Sequence, residues 1–501
     1  MSSRTRLFDD TPPVPSDPVI IVGAGVFGLS TAIHLARRGY QDVTVYDRHA
    51  YDSSRFSYFR GADSASADMN KIIRSAYGGV SIYQDLSLEA IEGWKEWNER
   101  LSKGEDLPPG LQKGDQVFVP NGNLSMTDST EISDFDRATI TSMEAAGHSG
   151  TQLNVADSRD RKLAVKKGFS FAIDPFGREK RGQANTAVLD TTGGTAIADK
   201  ACLFALHEAR RLRVKFILHP VEGCFEGLIY DTDVGNRVTG IRTSDGRSHP
   251  ARITILACGA WTPSIVPEMD GLCEATAGTV AFIKIPRESP LWDRFSPQAF
   301  PSWQWNMHNG AEGGLYGFAR NEEGWLKIGY RGVKYTNPVS QGEGLQRSVP
   351  VTRWTPSEEG GKRMAAAPRQ ALKVIRRFLR DYLPELGEAG LDIMHTRICW
   401  YNDSFDNHLV IDRIPDKGGV MVATGDSGHA FKYLPVLGSR IVDTMERSGL
   451  ENDCMQAWKW RALGTAAPRN ILMEGAAGSR SLQNVPLVAE KSLSGVPQSR
   501  L

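Results

Sequence analysis

A mixed α/β fold, α+β over the whole chain, is predicted by the sequence: a Rossmann-like nucleotide-binding domain interleaved with a second domain built on an antiparallel sheet. Three observations lead there. The stretch from Val19 to Asp47, VIIVGAGVFGLSTAIHLARRGYQDVTVYD, is a complete strand–turn–helix–strand unit. Further α/β material returns near 200–260 and 410–445. Between those returns, at 270–335, the pattern changes to alternating, aromatic-rich runs of the kind antiparallel strands show.

The opening unit carries the clearest chemistry. Val19, Ile20, Ile21 and Val22 enter a turn in which Gly23, Gly25 and Gly28 have G-x-G-x-x-G spacing. Gly23 makes the tight turn, Gly25 lets a pyrophosphate approach the backbone, and Gly28 lets helix and strand pack closely. Leu29, Ala32, Ile33 and Ala36 share one helical face, which stops at Gly39. The phosphates would meet N–H groups at the helix N-terminus. Asp47, at the end of Val43-Thr44-Val45-Tyr46, would accept a ribose hydroxyl.

Onward from Asp47, Tyr51 to Gly61 reads as polar and aromatic loop, and Ser64 to Arg74 offers small residues plus Lys71 and Arg74. Ile82, Leu86, Ala90, Trp94 and Trp97 at helical spacing read as core. From about 100 to 185 the chain is loop-rich, with GDQVFVP as a strand. A helix is expected over Thr195–Val214 and a strand over Val214–Leu218, then an apolar strand in RITILACGAWTP. TVAFIKI, GGLYGFA and GWLKIGY read as antiparallel strands; Lys327, Gly329 and Arg331 share a face by alternation. A helix over Ala371–Leu379 precedes RICWY, HLVIDRIP and the strand, glycine turn and helix of VMVATGDSGHAFKYLPVLGSRIVDTM. The tail beyond Glu451 reads as irregular and surface-wrapping. No internal repeat is visible.

Bulk composition excludes several classes. In 501 residues, Lys+Arg and Asp+Glu balance at 59 each, so no nucleic acid or anionic membrane partner is indicated. No run approaches the ~18 apolar residues of a membrane span. The first residues, MSSRTRLFDDTPPVPSDP, lack an apolar signal core and read as a disordered lead-in. Six cysteines without a C-x-x-C pair argue against a disulfide framework or zinc site and suit a reducing interior. Because the nucleotide-binding material is interrupted twice, a flavoprotein fits better than a simple NAD dehydrogenase.

GAGVFG (23–28), MNKIIRSAYG (69–78), LYGF (315–318), LKIGYR (326–331), RICWY (397–401) and GDSGHAFKYLP (425–435) together resemble the monomeric sarcosine oxidase and fructosyl amino acid oxidase (amadoriase) group of FAD-dependent amine oxidases. The resemblance covers roughly 18–450. It implies an FAD-binding domain of 18–92, 186–266 and 392–450, a substrate domain of 93–185 and 267–391, and tails at 1–17 and 451–501. It also implies a monomer.

The resemblance implies site roles. Cys399 matches the cysteine that joins the flavin 8α-methyl, a step that needs a thiolate, and Arg397 brings positive charge nearby. Lys327 matches the lysine beside flavin N5 that activates oxygen, where a buried cation stabilises developing superoxide. Arg74 and Lys432 match the pair holding the substrate carboxylate, Tyr316 a tyrosine of that pocket, and Lys71 a basic residue against the flavin ring. With Gly23, Gly25, Gly28 and Asp47, the cofactor is expected to meet Val26, Phe27, Arg48, Ser64, Asn70, Val221, Cys258, Gly259, Trp261, Asp426, Gly428 and Phe431. No metal is expected.

The implied reaction is hydride transfer from the carbon beside an amine nitrogen to flavin N5, with oxygen reduced to hydrogen peroxide. Arg331 departs from the family, standing where sarcosine oxidase has a histidine and amadoriases a sugar-binding glutamate. His429-Ala430 also replaces the more usual residues before F-K-Y-L-P. A glycated substrate is therefore disfavoured, and an N-methyl or other N-alkyl amino acid is expected, with a biosynthetic intermediate whose oxidised N-methyl group closes a ring as one form. Saccharopine, pipecolate and fructosyl amino acids remain alternatives, as does a flavin dehydrogenase using another acceptor. Arg331, with its planar, permanently charged fork, points to a polar or anionic group distal to the amine. Finally, Ser499-Arg500-Leu501 is a conservative variant of the S-K-L address read by the peroxisomal import receptor, which suits a peroxide producer.

Overall fold

The computed structural model describes residues 11–352, 355, 366–489 and 492–493. The Ser499-Arg500-Leu501 address and most of the expected disordered lead-in lie outside those residues. Apolar, β-branched strands, fully buried at 19–22, 253–256 and 420–424, make a six-stranded sheet in the order 410–413, 420–424, 253–256, 19–22, 43–47, 215–218. All neighbours are parallel except the pair 410–413 and 420–424. Near-continuous apolar runs such as VIIV and ITIL suit a sheet with no solvent face. The helices Val26–Arg37, Ala198–Arg211 and Leu437–Glu446 pack together on one side.

The second layer is an eight-stranded sheet in the order 393–404, 273–284, 325–335, 315–317, 302–305, 123–127, 186–190, 152–154. It is antiparallel except where 302–305 runs parallel to 123–127. Strands 186–190 and 393–404, which lie within 186–266 and 392–450, hydrogen-bond into this sheet. Between the layers, strand Asn70–Ile73 pairs with Gly194–Ile197, which pairs in turn with Phe118–Val119.

Several elements depart from the expected pattern. Tyr51–Gly61 forms a short helix over Tyr51–Ser54 and a turn over Tyr58–Arg60, and Tyr51 stacks on Phe56 at 3.9 Å inside the core. The stretch read as loop-rich holds helices Asp134–Ala145 and Ser158–Lys166. Their signals were short-range: Ser133 caps the Asp136 N–H, and Asp157 caps the N–H groups of Arg159 and Asp160. The helix expected from Thr195 starts at Ala198, because 194–197 are taken by strand pairing. Ile82 is only partly buried, while Leu86, Ala90, Trp94 and Trp97 are core.

The tail is more ordered than its composition suggests. It forms helix Asp453–Trp458 and strand Leu487–Ala489, the latter paired with Ala366–Pro368. Trp458 is fully buried in the core of the first layer and donates its indole N–H to Tyr83 Oη at 3.1 Å. Leu482, Val488 and Leu493 enter the core of the second. Anchors so widely spaced leave no periodicity to detect. Trp458→Ala is expected to cost about 3–5 kcal/mol, the range for deleting a large buried aromatic, and to lower the midpoint of thermal unfolding of the holoprotein. A change within ~0.5 kcal/mol, as for an ordinary surface substitution, would show that the tail is only draped over the surface.

Candidate active site

The glycine turn sits at the carboxyl ends of strands 19–22, 43–47 and 253–256, where ligands bind in open α/β sheets. A cavity of about 660 Å³ opens there and runs to the large sheet. Gly23, Gly25, Val26 and Phe27 line it with the start of helix Val26–Arg37, whose first-turn N–H groups have no intrahelical acceptor. Gly28 lies behind: a Cβ there would come within 1.8 Å of Gly23 O, so no other residue fits the crossing. Asp47 lines the cavity and braces the turn, accepting the Ala24 N–H at 2.8 Å. Burial alone would push its carboxyl up, but bonds from His49 and the Ala24 N–H together hold it below the usual range. Arg48 lies 4.7 Å over the Trp261 ring on the same wall as Cys258 and Gly259. A long cradle with these donors and glycines fits a dinucleotide such as FAD.

The far end is built by the large sheet. Register places Tyr316 opposite Gly329, and a Cβ on Gly329 would come 2.1 Å from the Tyr316 ring. The missing side chain lets Tyr316 lie across the strand into the cavity. Cys399 reaches the same wall from strand Ile393–Ser404. Ser64, Lys71 and Arg74 enter from one side; Asp426, Gly428, Phe431 and Lys432 enter from the other.

Arg331 lines the cavity, yet its Nη2 donates to Ser427 O at 2.9 Å and its Nη1 to Gly428 O at 3.3 Å. The guanidinium thus holds the glycine turn after strand Val420–Thr424 and packs 5.1 Å from the Tyr401 ring. Arg397 directs its charge to the segment before Lys71, donating to Ala67 O and Ser64 O and facing Asp63 at 3.2 Å.

Besides Gly28, three of the expected site residues stand off the cavity wall. Val221 is exposed and caps a turn through its N–H to His219 Nδ1. Asn70 is buried in its strand. Lys327 is fully buried, and its ammonium donates to Asp68 Oδ2 and Asn70 O, each at 2.7 Å. Lys71 shares the same carboxylate oxygen at 2.7 Å and does reach the cavity. Burial favours the neutral form of Asp68, but Lys327, Lys71 and Arg397 outweigh it and hold the carboxyl well below its ordinary range. Burial wins at Lys327, whose ammonium is brought down to about 8 despite Asp68. Lys71 goes the other way, its charge favoured by Asp68 beyond the cost of burial.

Sequence reasoning missed Asp68, His429, Gln304 and Tyr77. Asp68 stands three residues before Lys71, a spacing that signals an ion pair. His429 lines the cavity with Nδ1 at 3.0 Å from Tyr77 Oη and Nε2 at 3.0 Å from Asn407 O. Gln304 comes from strand Ser302–Trp305, which the aromatic runs did not single out. The hairpin of 225–230 and 238–243 also walls the dinucleotide end, through Gly223, Cys224, Phe225 and Leu228. These residues become neighbours only through long-range packing.

The chain resembles known proteins over nearly its whole length. L-saccharopine oxidase of Schizosaccharomyces pombe is 26% identical over 462 residues, covering 89% of this chain and 93% of that one. Monomeric sarcosine oxidase of a Bacillus species is 26% identical over 440 residues, covering 87% and 94%. Among solved structures, a thermally stable mutant of fructosyl peptide oxidase superposes with a TM-score of 0.73 at 27% identity, covering 94% of this chain and 99% of that one. Residues 18–444, from the strand before the glycine turn to the last turn of helix Leu437–Glu446, match the FAD dependent oxidoreductase model, and the chain belongs to that family of FAD-dependent oxidoreductases.

Proposed function

We propose that the protein is an oxidase of a secondary amine, an N-methyl or other N-alkyl amino acid, giving an imine and hydrogen peroxide. The observation that carries this reading is the convergence of Arg74, Arg331 and Lys432 on the cavity end walled by Tyr316 and Cys399, with no carboxylate bonded to any of the three among the described residues. Such a cluster suits an anionic substrate group, and the sarcosine, N-methyl-L-tryptophan and saccharopine oxidases among the relatives support the amine class.

Bound FAD supplies the two-electron acceptance that the oxidation needs. The chain supplies position and charge. Arg74 and Lys432 hold the substrate carboxylate, which fixes the amine and its neighbouring carbon between Tyr316 and the flavin side of the cavity. Arg331 keeps the Ser427–Gly428 turn in place and presents its remaining N–H groups to a polar or anionic group beyond the amine. Cys399 is the residue for a thioether to the flavin. Lys327, held by Asp68, is the cation for charge developing on oxygen. The saccharopine oxidase relative and the third cation favour a substrate with a second carboxylate as the alternative reading.

Hydrogen peroxide formation is measured with N-methylglycine, N-methyl-L-tryptophan, L-saccharopine, L-pipecolate and a fructosyl amino acid. A secondary amine bearing a carboxylate is expected to lead and the fructosyl compound to trail. Reduction of the flavin without peroxide would assign a dehydrogenase instead. In a second experiment the protein is denatured with acid: wild type is expected to keep its flavin on the polypeptide and Cys399→Ser to release it. Complete release from wild type would remove the covalent assignment.

Lys327→Met is expected to slow reoxidation by ~10²–10³, the typical effect of deleting one preorganised charge, and to spare reduction by substrate. Because the charged form is the acid form, wild-type reoxidation should fall as pH rises through about 8. Stopped-flow traces with normal reoxidation in the variant would take the role away from Lys327.

A further inference from the structure

Lys432 is an unusual buried lysine. It is 3% exposed, and its Nζ donates to Tyr77 Oη and, at 3.1 Å, to His429 O. Tyr77 Oη also accepts from Tyr433 Oη at 2.7 Å and lies 3.0 Å from His429 Nδ1. His429 Nε2 is 3.0 Å from a carbonyl, Asn407 O, so that nitrogen carries the ring proton and Nδ1 accepts from Tyr77. Every oxygen and nitrogen in this network is then satisfied with Lys432 as donor through two N–H bonds. Nζ has three directions besides its carbon, and the two are spent on Tyr77 and His429 O. The third is what the cavity, which Lys432 lines, can reach.

Among the described residues, no carboxylate is bonded to this lysine. Arg74 and Arg331 act on it with the same sign; Asp190 acts from farther off and is itself bonded to the Ser75 and Thr192 N–H groups. Helix Ser81–Lys103 adds Trp94, whose indole N–H donates to Lys432 O, and no charge. Burial, Arg74 and Arg331 hold the ammonium well below its ordinary range. A neutral amine with two donated N–H bonds keeps its lone pair for the third direction.

We propose that Lys432 is a proton acceptor as well as a carboxylate holder: neutral in the empty site, it takes the proton that a zwitterionic amino acid must lose before its carbon can release a hydride. This rests on reading the site as one that holds a substrate carboxylate. The substrate N–H⁺ bond breaks and its electron pair stays on nitrogen. The proton, passing across the adjacent carboxylate, forms the third N–H bond of Lys432. Neither oxidant nor solvent takes part. The product of the step is a neutral amine beside a carboxylate paired with a charged Lys432, and the network of Tyr77 and His429 positions both states.

The test compares two isosteric probes on the holoenzyme, with flavin absorbance reporting binding and an indicator dye reporting protons. Pivalate has a carboxylate and no ammonium; 2-aminoisobutyrate has both and no hydrogen on the carbon beside nitrogen, so neither is oxidised. At a pH where the empty site is deprotonated, pivalate is expected to draw close to one proton per site from solution and 2-aminoisobutyrate close to none. Since the pivalate complex holds the extra proton, its affinity should fall about tenfold per pH unit above the free-site pKa. Lys432→Arg, which cannot shed its proton, should bind pivalate without proton uptake. Pivalate binding to wild type without uptake, or equal uptake with both probes, overturns the proposal. Binding of neither probe instead overturns the carboxylate reading on which it rests.

Discussion

The carboxylate of Asp68 is the joint on which the site depends. It is buried, and it accepts Lys71 from its own segment and Lys327 from the centre of the large sheet, both at 2.7 Å. Removing Asp68 would leave Lys327 a buried charge without its carboxylate, which costs about 3–5 kcal/mol. Beside it, Arg397 ties strand Ile393–Ser404 to Ser64 O and Ala67 O. The segment that follows the nucleotide unit is thereby stapled to two strands of the other layer. That fixes the distance between the glycine turn and the sheet bearing Tyr316 and Cys399, and so the length of the cavity.

Charge is distributed along that cavity in a way that separates its tasks. Asp68 is shared by two lysines, one facing the cavity and one sealed behind with its ammonium 4.8 Å from the Phe318 ring. The buried lysine is the softer of the two, because desolvation acts on it in full. Arg74, Arg331 and Lys432 also line the cavity, with carbonyls, hydroxyls and aromatic rings as their partners. Asp426, on the turn that Arg331 holds, is pushed up to about 6 by burial and neighbouring Asp403, and one of its oxygens is taken by the Asn402 N–H at 2.7 Å. An incoming carboxylate would supply what the protein withholds.

The helices of 134–145 and 158–166 and the tail show where one-dimensional patterns fail. Both helices announce themselves through a capping residue rather than a long apolar stripe, since each buries only a few side chains. The tail contributes single anchors, Trp458, Leu482 and Leu493, to cores assembled from distant segments. Val221 shows the reverse error: it lies close in sequence to Gly223 and Cys224, which line the cavity, but its own side chain turns to solvent.

What the sequence determined by itself was local. G-x-G-x-x-G between a strand and a helix needs three glycines at contact points only a few residues apart, so Gly23, Gly25 and Gly28 were legible along with Asp47 at the next strand end. Alternation along 325–331 likewise put Lys327, Gly329 and Arg331 on one face. Tertiary structure decided what each of those side chains faces. Lys327 meets Asp68, 259 residues away, and Arg331 meets the turn at 427–428, 96 and 97 residues away. A period of two fixes the side of a strand on which a residue emerges; only the packing of the two layers fixes whether a carboxylate, a carbonyl or an open cavity is waiting there.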